Sequence, residues 1–191
     1  MQHVYAASCN KLLLRPLLKK DIELLRLYRN NREQNPYLRP LAEISQEQQQ
    51  KWFEQYEMEP GHWAFALQDT QAHGDAVGSV ALYHPVGKNV EFGRFMVSPH
   101  FRGRGIGKTA TKLTVWMAIE KLGFETVVLY VHECNAAAIA SYKNAGFAIT
   151  GERAYMDGYC EWEMALTKNK ARPFFTCGGG SVQDKTPYNA L

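Results

Sequence analysis

Most of the features that mark a special class of protein are missing from this chain of 191 residues. No apolar run approaches the roughly 20 residues that cross a bilayer, so no membrane partner is expected. No Lys/Arg block runs along one segment and the formal charge is only +3, which gives no reason to expect nucleic acid as a partner. The opening Met1-Gln2-His3-Val4-Tyr5 lacks the charged-then-apolar order of a secretion signal. Cys9, Cys134, Cys160 and Cys177 form no C-x-x-C pair and have no His at zinc-finger spacing. Reduced thiols and a cytoplasmic location are the expectation, with no metal. His62, His73, His84, His100 and His132 lack a Ser or Cys partner at a recognisable spacing, so a hydrolytic triad finds no support. No internal repeat is visible.

What remains is a globular balance of 46% apolar and 21% charged residues, in a length that suits one domain with a core of its own. Leu12 to Leu14 reads as a first strand, ended by Arg15-Pro16. Ile22, Leu25 and Tyr28 repeat at helical spacing behind Asp21, a residue able to cap. Ser45-Gln46-Glu47-Gln48 is a capping-box pattern that opens a second helix, with Trp52 and Tyr56 on one face. The residues from Asn30 to Pro36 between these helices are polar and contain a breaker.

A β meander follows: strands over 63–68, 77–83 and 90–97, with turns over 69–74 and 84–89. The second half changes rhythm. Lys108 to Leu122 is helical and Gly123 ends it. The β-branched run from Thr126 to Val131 predicts a buried central strand. Asn135 caps a short helix that Gly146 stops. Segments 147–151 and 161–166 predict an antiparallel pair. The order predicts an α+β domain over 1–168. After Lys168 the pattern dissolves, and Arg172-Pro173 with Gly178-Gly179-Gly180-Ser181 predicts an extended or mobile tail over 169–191.

Arg102-Gly103-Arg104-Gly105-Ile106-Gly107-Lys108 carries the strongest chemical signal. Three alternating glycines ahead of a helix leave backbone N–H groups facing one small space, an arrangement suited to phosphate. The P-loop template fits Gly107-Lys108-Thr109, but its first glycine falls on Arg102. The dinucleotide template fits Gly105, Gly107 and Ala110. Five residues, Ser98 to Arg102, however separate the strand from the glycines. A third template, [QR]-x-x-G-x-[GA] after a strand and a short connection, fits Arg102, Gly105 and Gly107 fully.

With Glu91 to Pro99 before it, and Asn135 through Tyr142 to Gly146-Phe147 after it, this stretch resembles the GNAT acetyltransferase superfamily. Leu14-Arg15-Pro16-Leu17 with Asp21 is similar to the branch of ribosomal-protein N-terminal and amino-sugar acetyltransferases. The resemblance implies a mixed, mostly antiparallel twisted sheet with helices on both faces and a splayed central strand pair. It implies acetyl-CoA as acyl donor, a small-molecule or peptide amine as acceptor, and a monomer or homodimer.

On this resemblance, backbone groups of Phe95, Met96 and Val97 pair with the pantetheine arm. Arg102, Gly103, Arg104, Gly105, Ile106, Gly107 and Lys108 hold the pyrophosphate, with the side chains of Arg104 and Lys108 either adding charge or simply solvated. Glu91 is either the general base or a solvated strand-end carboxylate. An amine arrives mostly as ammonium and must lose a proton before it attacks. Tyr142 is either the acid that protonates the departing thiolate or an aromatic packed on Ile139. Asn135 is a helix cap that also faces the cofactor cleft. Cys134 is either an acyl-accepting nucleophile or a structural thiol.

Arg29, Asn30 and Trp52, with Arg32 and Arg39 nearby, are the candidate acceptor-binding residues, each equally readable as surface charge or core aromatic. The resemblance to amino-sugar acetyltransferases suggests an amino group of a nucleotide-linked sugar. Protein N-termini and polyamines are the other acceptors in view, and a non-catalytic acyl-CoA-binding module is the alternative of another class.

Overall fold

The computed structural model describes residues 3–33, 35–38, 42–71, 74–154, 158–176 and 181–189. Among them a single sheet of nine strands runs in the order β7-β8-β6-β5-β4-β3-β2-β1-β9. The strands are β1 (Ala7–Cys9), β2 (Leu12–Pro16), β3 (Trp63–Asp69), β4 (Ala76–Val86), β5 (Asn89–Val97), β6 (Thr126–His132), β7 (Ala148–Ala154), β8 (Cys160–Thr167) and β9 (Gln183–Asp184). The helices are α1 (Ile22–Asn30), α2 (Gln46–Met58), α3 (Ile106–Trp116), α4 (Ala136–Asn144) and α5 (Lys168–Thr176).

Strand alternation builds two cores, one on each face. Phe65 and Leu67 of β3 join Leu14, Leu82, Leu113 and Leu129 on the face covered by α3. Their neighbours Ala64 and Ala66 join Leu25, Phe53 and Tyr56 under α1 and α2. Small residues on the second face let the aromatic side chains of α2 approach the sheet.

Every pairing is antiparallel except β5 with β6. That parallel pairing lasts only from Asn89 to Glu91 against Thr126 to Val128. Beyond Glu91 and Val128 the two strands part, as the splayed pair expected from the family resemblance requires. β5 also carries a bulge: Ser79 of β4 faces Met96 and Ala81 faces Gly93, so Arg94 and Phe95 together oppose Val80. Arg94 takes φ +51 there, in the left-handed region.

The helix signals held in most places. Ser45 accepts from the Gln48 backbone N–H at 3.1 Å while the Gln48 side chain accepts from the Ser45 N–H at 2.8 Å. Asn135 caps α4 through the Ala138 N–H, and Gly146 takes φ +91 just past it. Asp21 differs from expectation. Its backbone is already helical and its side chain caps no α1 donor. The carboxylate instead accepts two bonds from Arg15, at 2.7 and 2.8 Å, and one from the Leu18 N–H. A buried guanidinium outcompetes a helix N–H for a carboxylate because both of its partners carry full charge.

Other boundaries moved. β1 precedes the expected first strand and pairs with it through a turn at Asn10, φ +54. The β4–β5 turn is tighter than 84–89, since β4 continues to Val86 and β5 resumes at Asn89. α3 opens at Ile106 rather than Lys108.

The tail is the largest correction. After Lys168 the chain forms α5 and then β9, which pairs with β1. Ala171 is fully buried in the main core and Phe175 packs against it, so tertiary burial overrides the Pro173 signal. An ion pair between Lys121 and Asp184 and a bond from Lys185 N–H to Ala6 C=O hold the β9 segment, while Gly178 to Gly180 lie outside the described residues.

Candidate functional site

β5, α3 and α4 meet where the sheet splays. Gly103 and Gly105 take φ +75 and +76, conformations that side chains disfavour, and a Cβ on either would project into open space. Gly105 is the N-cap of α3 and offers no side chain to cap it. The N–H groups of the first turn therefore stay available, at the positive end of the helix, with only Thr109 N–H closing back onto Gly105 C=O at 3.1 Å.

A cavity of about 320 Å³ opens in front of them, lined by Phe95, Val97, Arg102, Gly103, Gly105, Ile106, Gly107 and Asn135. Phe101, Ala137, Ala138, Ser141 and Tyr142 complete the wall. Phe101, Ala137, Ala138 and Ser141 were not foreseen, because nothing in their type sets them apart from packing residues.

Arg104 and Lys108 do not line this cavity. The Arg104 guanidinium lies 5.0 Å from the Phe101 ring centroid, a cation–π contact at the turn's outer side. Arg102 lines the wall, but its guanidinium is engaged elsewhere: Nε donates to Val97 C=O at 3.2 Å and Nη2 to Asn35 Oδ1 at 2.6 Å. Asn35 in turn donates to Tyr28 C=O. The turn is thereby tied to the loop after α1.

A second, larger cavity of about 670 Å³ lies on the other side of β5. It shares Phe95, Asn135, Ala138 and Tyr142 with the first. Met96 faces this larger space. Arg29 and Trp52 line it. Asn30 does not: its amide clamps the backbone of Ile44, accepting from the N–H at 3.0 Å and donating to the C=O at 2.9 Å. Arg32 likewise donates to Leu38 C=O at 3.0 Å and does not line the cavity. Arg39 lies outside the described residues.

Glu91 sits where β5 and β6 part, half-buried, with its carboxylate toward the larger cavity. It accepts from the Tyr83 hydroxyl at 2.8 Å and lies 3.2 Å from His84 Nδ1. Burial, reinforced by the Glu91 charge, raises the Tyr83 phenol well above its usual range, so Tyr83 remains a donor. A Cβ at Gly93 would overlap that Tyr83 hydroxyl, which explains the glycine.

Tyr142 is 8% exposed and packs edge-on against Phe92 and Phe147. Its hydroxyl meets no hydrogen-bond partner among the described residues, and burial raises its pKa well above the ordinary phenol value. Cys134 is exposed and lines neither cavity.

Arg94, Tyr83, Arg153 and Glu161 also line the larger cavity and were not singled out from sequence. Arg153 and Glu161 pair with each other at 2.7 Å across β7 and β8. The Gly93-Arg94 step inside a strand was a signal for the bulge, since an isolated strand glycine often marks one.

Residues 11–148 match the acetyltransferase (GNAT) domain. Mycothiol acetyltransferase of Thermobispora bispora is 30% identical over 110 residues, which make up 56% of this chain and 35% of that protein. Mycothiol acetyltransferase of Salinispora arenicola is 40% identical over 52 residues, 27% of this chain and 17% of that one. The chain thus matches no more than about a third of the length of these curated relatives. Spermidine N-acetyltransferase from Vibrio cholerae, solved with CoA and spermine, superposes with a TM-score of 0.76 at 20% identity, over 85% of this chain and 98% of that one. A GNAT-family acetyltransferase from Bacillus anthracis gives 0.74 at 15% identity, over 86% and 99%. At these identities the likeness to solved structures concerns the fold, whereas the domain match spans most of the sequence: the chain belongs to the GNAT acetyltransferase family.

Proposed function

We propose that this protein transfers an acetyl group from acetyl-CoA to a primary amine by direct attack in a ternary complex. The observation that carries this reading is the shared wall: Phe95, Asn135, Ala138 and Tyr142 line both the glycine-turn cavity and the larger one. Donor and acceptor held in the two spaces would meet at that wall, and proximity of this kind accounts for much of the acceleration of a bimolecular step.

Acetyl-CoA supplies a thioester, already activated for acyl transfer. The residues from Gly103 to Lys108 would hold its pyrophosphate through backbone N–H groups, and the parted strand from Phe95 to Val97 offers backbone groups to its arm. Glu91 takes the proton from the incoming ammonium, directly or through water. Tyr142, with a hydroxyl that bonds no other described residue, gives a proton to the departing sulfur. Direct transfer is preferred over an acyl-cysteine route because Cys134 lines neither cavity.

For the acceptor, Arg29 and Trp52 in the larger cavity support an amino group on a nucleotide-linked sugar, with the arginine toward phosphate and the indole toward a ring face. The test is CoA release from acetyl-CoA with a panel of amino sugars, peptides and polyamines, run beside CoA binding. Gly105→Val, which forces a β-branched residue into φ +76, is expected to weaken CoA binding by about tenfold or more. Tight binding by that variant moves the cradle elsewhere. Binding by the parent protein with no turnover of any amine replaces the transferase reading by an acyl-CoA-binding module.

A further inference from the structure

Arg94 is conspicuous among the charged groups of the larger cavity. Glu161 is paired with Arg153, and Glu91 is engaged by Tyr83 and His84. The Arg94 guanidinium makes no ion pair or hydrogen bond with any described residue, although its backbone C=O accepts from Ser79 Oγ at 3.3 Å. Its guanidinium lies 5.0 Å from the centroid of Trp52 and 5.3 Å from that of Tyr83, held by two ring faces that use none of its N–H donors. Its backbone sits at φ +51 on the β5 bulge, a conformation that a non-glycine residue disfavours, so the side chain is aimed at some expense.

Position adds to this. Arg94 lies three residues from Glu91 along β5 and directly before Phe95, one of the four residues common to both cavities. Arg29 lines the same space, and burial, together with the charges of Arg32 and Arg94, pulls its pKa below the ordinary arginine value. The cavity is lined by Arg29, Arg94 and Arg153 and by Glu43, Glu91 and Glu161, so selectivity is set locally: beside the Arg94 guanidinium a cation is repelled and an anion stabilised. A planar guanidinium whose donor fork is unengaged matches a carboxylate or phosphate in two-point contact.

We propose that Arg94 is a specificity-determining residue that binds an anionic group, carboxylate or phosphate, on the acceptor amine. This rests on the amine-acetyltransferase reading above for its assay, although the anion site can be read without turnover. It selects against polyamines, in which every functional group is cationic.

The experiment has two arms. In the first, kcat/KM is compared for matched amines bearing a phosphate, a carboxylate or no charge, and for spermidine, with the parent protein and with Arg94→Gln and Arg94→Lys. The parent protein is expected to prefer an anionic amine. In Arg94→Gln the ratio of anionic to neutral kcat/KM is expected to fall about ten- to hundredfold, mostly through KM, with partial recovery in Arg94→Lys. The phosphate and carboxylate arms identify which anion is read.

In the second arm, uridine diphosphate is titrated into protein saturated with CoA, so that the glycine turn is filled. Trp52 fluorescence, isolated by comparison with Trp52→Phe, reports on the site. Binding that Arg94→Gln abolishes supports the proposal even if no amine is turned over. Spermidine as the preferred acceptor, or an unchanged anionic-to-neutral ratio in Arg94→Gln, overturns the proposal while leaving the transferase reading in place. Failure of uridine diphosphate and of anionic amines alike to engage Arg94 overturns it as well.

Discussion

Tyr142→Phe removes one oxygen atom and nothing else from the wall shared by the two cavities. The hydroxyl has no hydrogen-bond partner among the described residues, while the ring packs against Phe92 and Phe147. Deleting a hydroxyl that bonds no described residue, on a side chain that lines both cavities, removes no interaction within the protein, so stability should stay within about 1 kcal/mol. For a domain of this size, that is a Tm change of roughly 4 °C or less. Turnover should fall far more. Loss of a positioned acid costs about 10²- to 10⁴-fold in rate, or roughly 3–5 kcal/mol at 1.36 kcal/mol per decade.

In water a phenol near pKa 10 is the weaker acid beside a thiol near 8.5, which makes proton transfer to the thiolate uphill by about 2 kcal/mol. Burial raises Tyr142 further, but the same apolar wall disfavours a thiolate beside it, so the two acids rise together. The acid form is the active one and its pKa is raised, so kcat should show no falling limb from Tyr142 below about pH 10. The assay is kcat, acetyl-CoA affinity and Tm for Tyr142→Phe, with a pH profile of the parent protein. An unchanged kcat refutes the acid role. A loss of kcat, CoA affinity and Tm together makes Tyr142 a packing residue.

Two further outcomes concern stability. Asp21→Asn leaves Arg15, fully buried, without its carboxylate, a change worth about 3–5 kcal/mol, so Tm should drop by roughly 6–20 °C. A drop under about 3 °C means the pair contributes little net stability. His3 Nε2 donates to Ala64 C=O at 3.1 Å, and burial lowers its pKa from 6.5 to about 4. The unfolded chain thus binds a proton that the folded one refuses between those values. The stability is fully present above about pH 6.5 and is lost as pH falls toward 4, by roughly 3 kcal/mol at 1.36 kcal/mol per pH unit. Denaturant titrations across pH 4–7 should show a shallower dependence in His3→Phe, and equal slopes would place the protonation elsewhere.

What was legible in the sequence is what is encoded locally. Gly103 and Gly105 are glycines because their backbone turns left-handed, and the motif states that requirement directly. Ser45 with Gln48 closes its own capping box within four residues. Asp21 carried the same kind of local signal, yet Arg15, from the neighbouring strand, took its carboxylate. The tail failed for the mirror-image reason: Pro173 reads as a breaker, but Ala171 is set in the core against α3 and β8. At the bulge a non-glycine residue adopts φ +51 because β4 holds both flanks of β5 in register, a tertiary constraint that no window around Arg94 expresses.

The larger cavity was least legible because its lining comes from α1, α2, α4 and the six strands β3 to β8, elements that only the sheet order brings together. Asn30 was placed there on type and position, but its amide is fully used in fastening the chain ahead of α2. Arg102 makes the sharper case. The motif places it at the glycine turn, where a cation next to a proposed anion site is the obvious inference. Its guanidinium is instead committed to Val97 C=O and to Asn35 in the loop beyond α1. A long side chain at a conserved-looking spacing can fix a turn's shape by holding backbone from behind while leaving the anion to N–H groups. In this fold that hold also reaches the loop beside the larger cavity, so the residue that shapes the glycine turn is bonded to the segment that borders the second space.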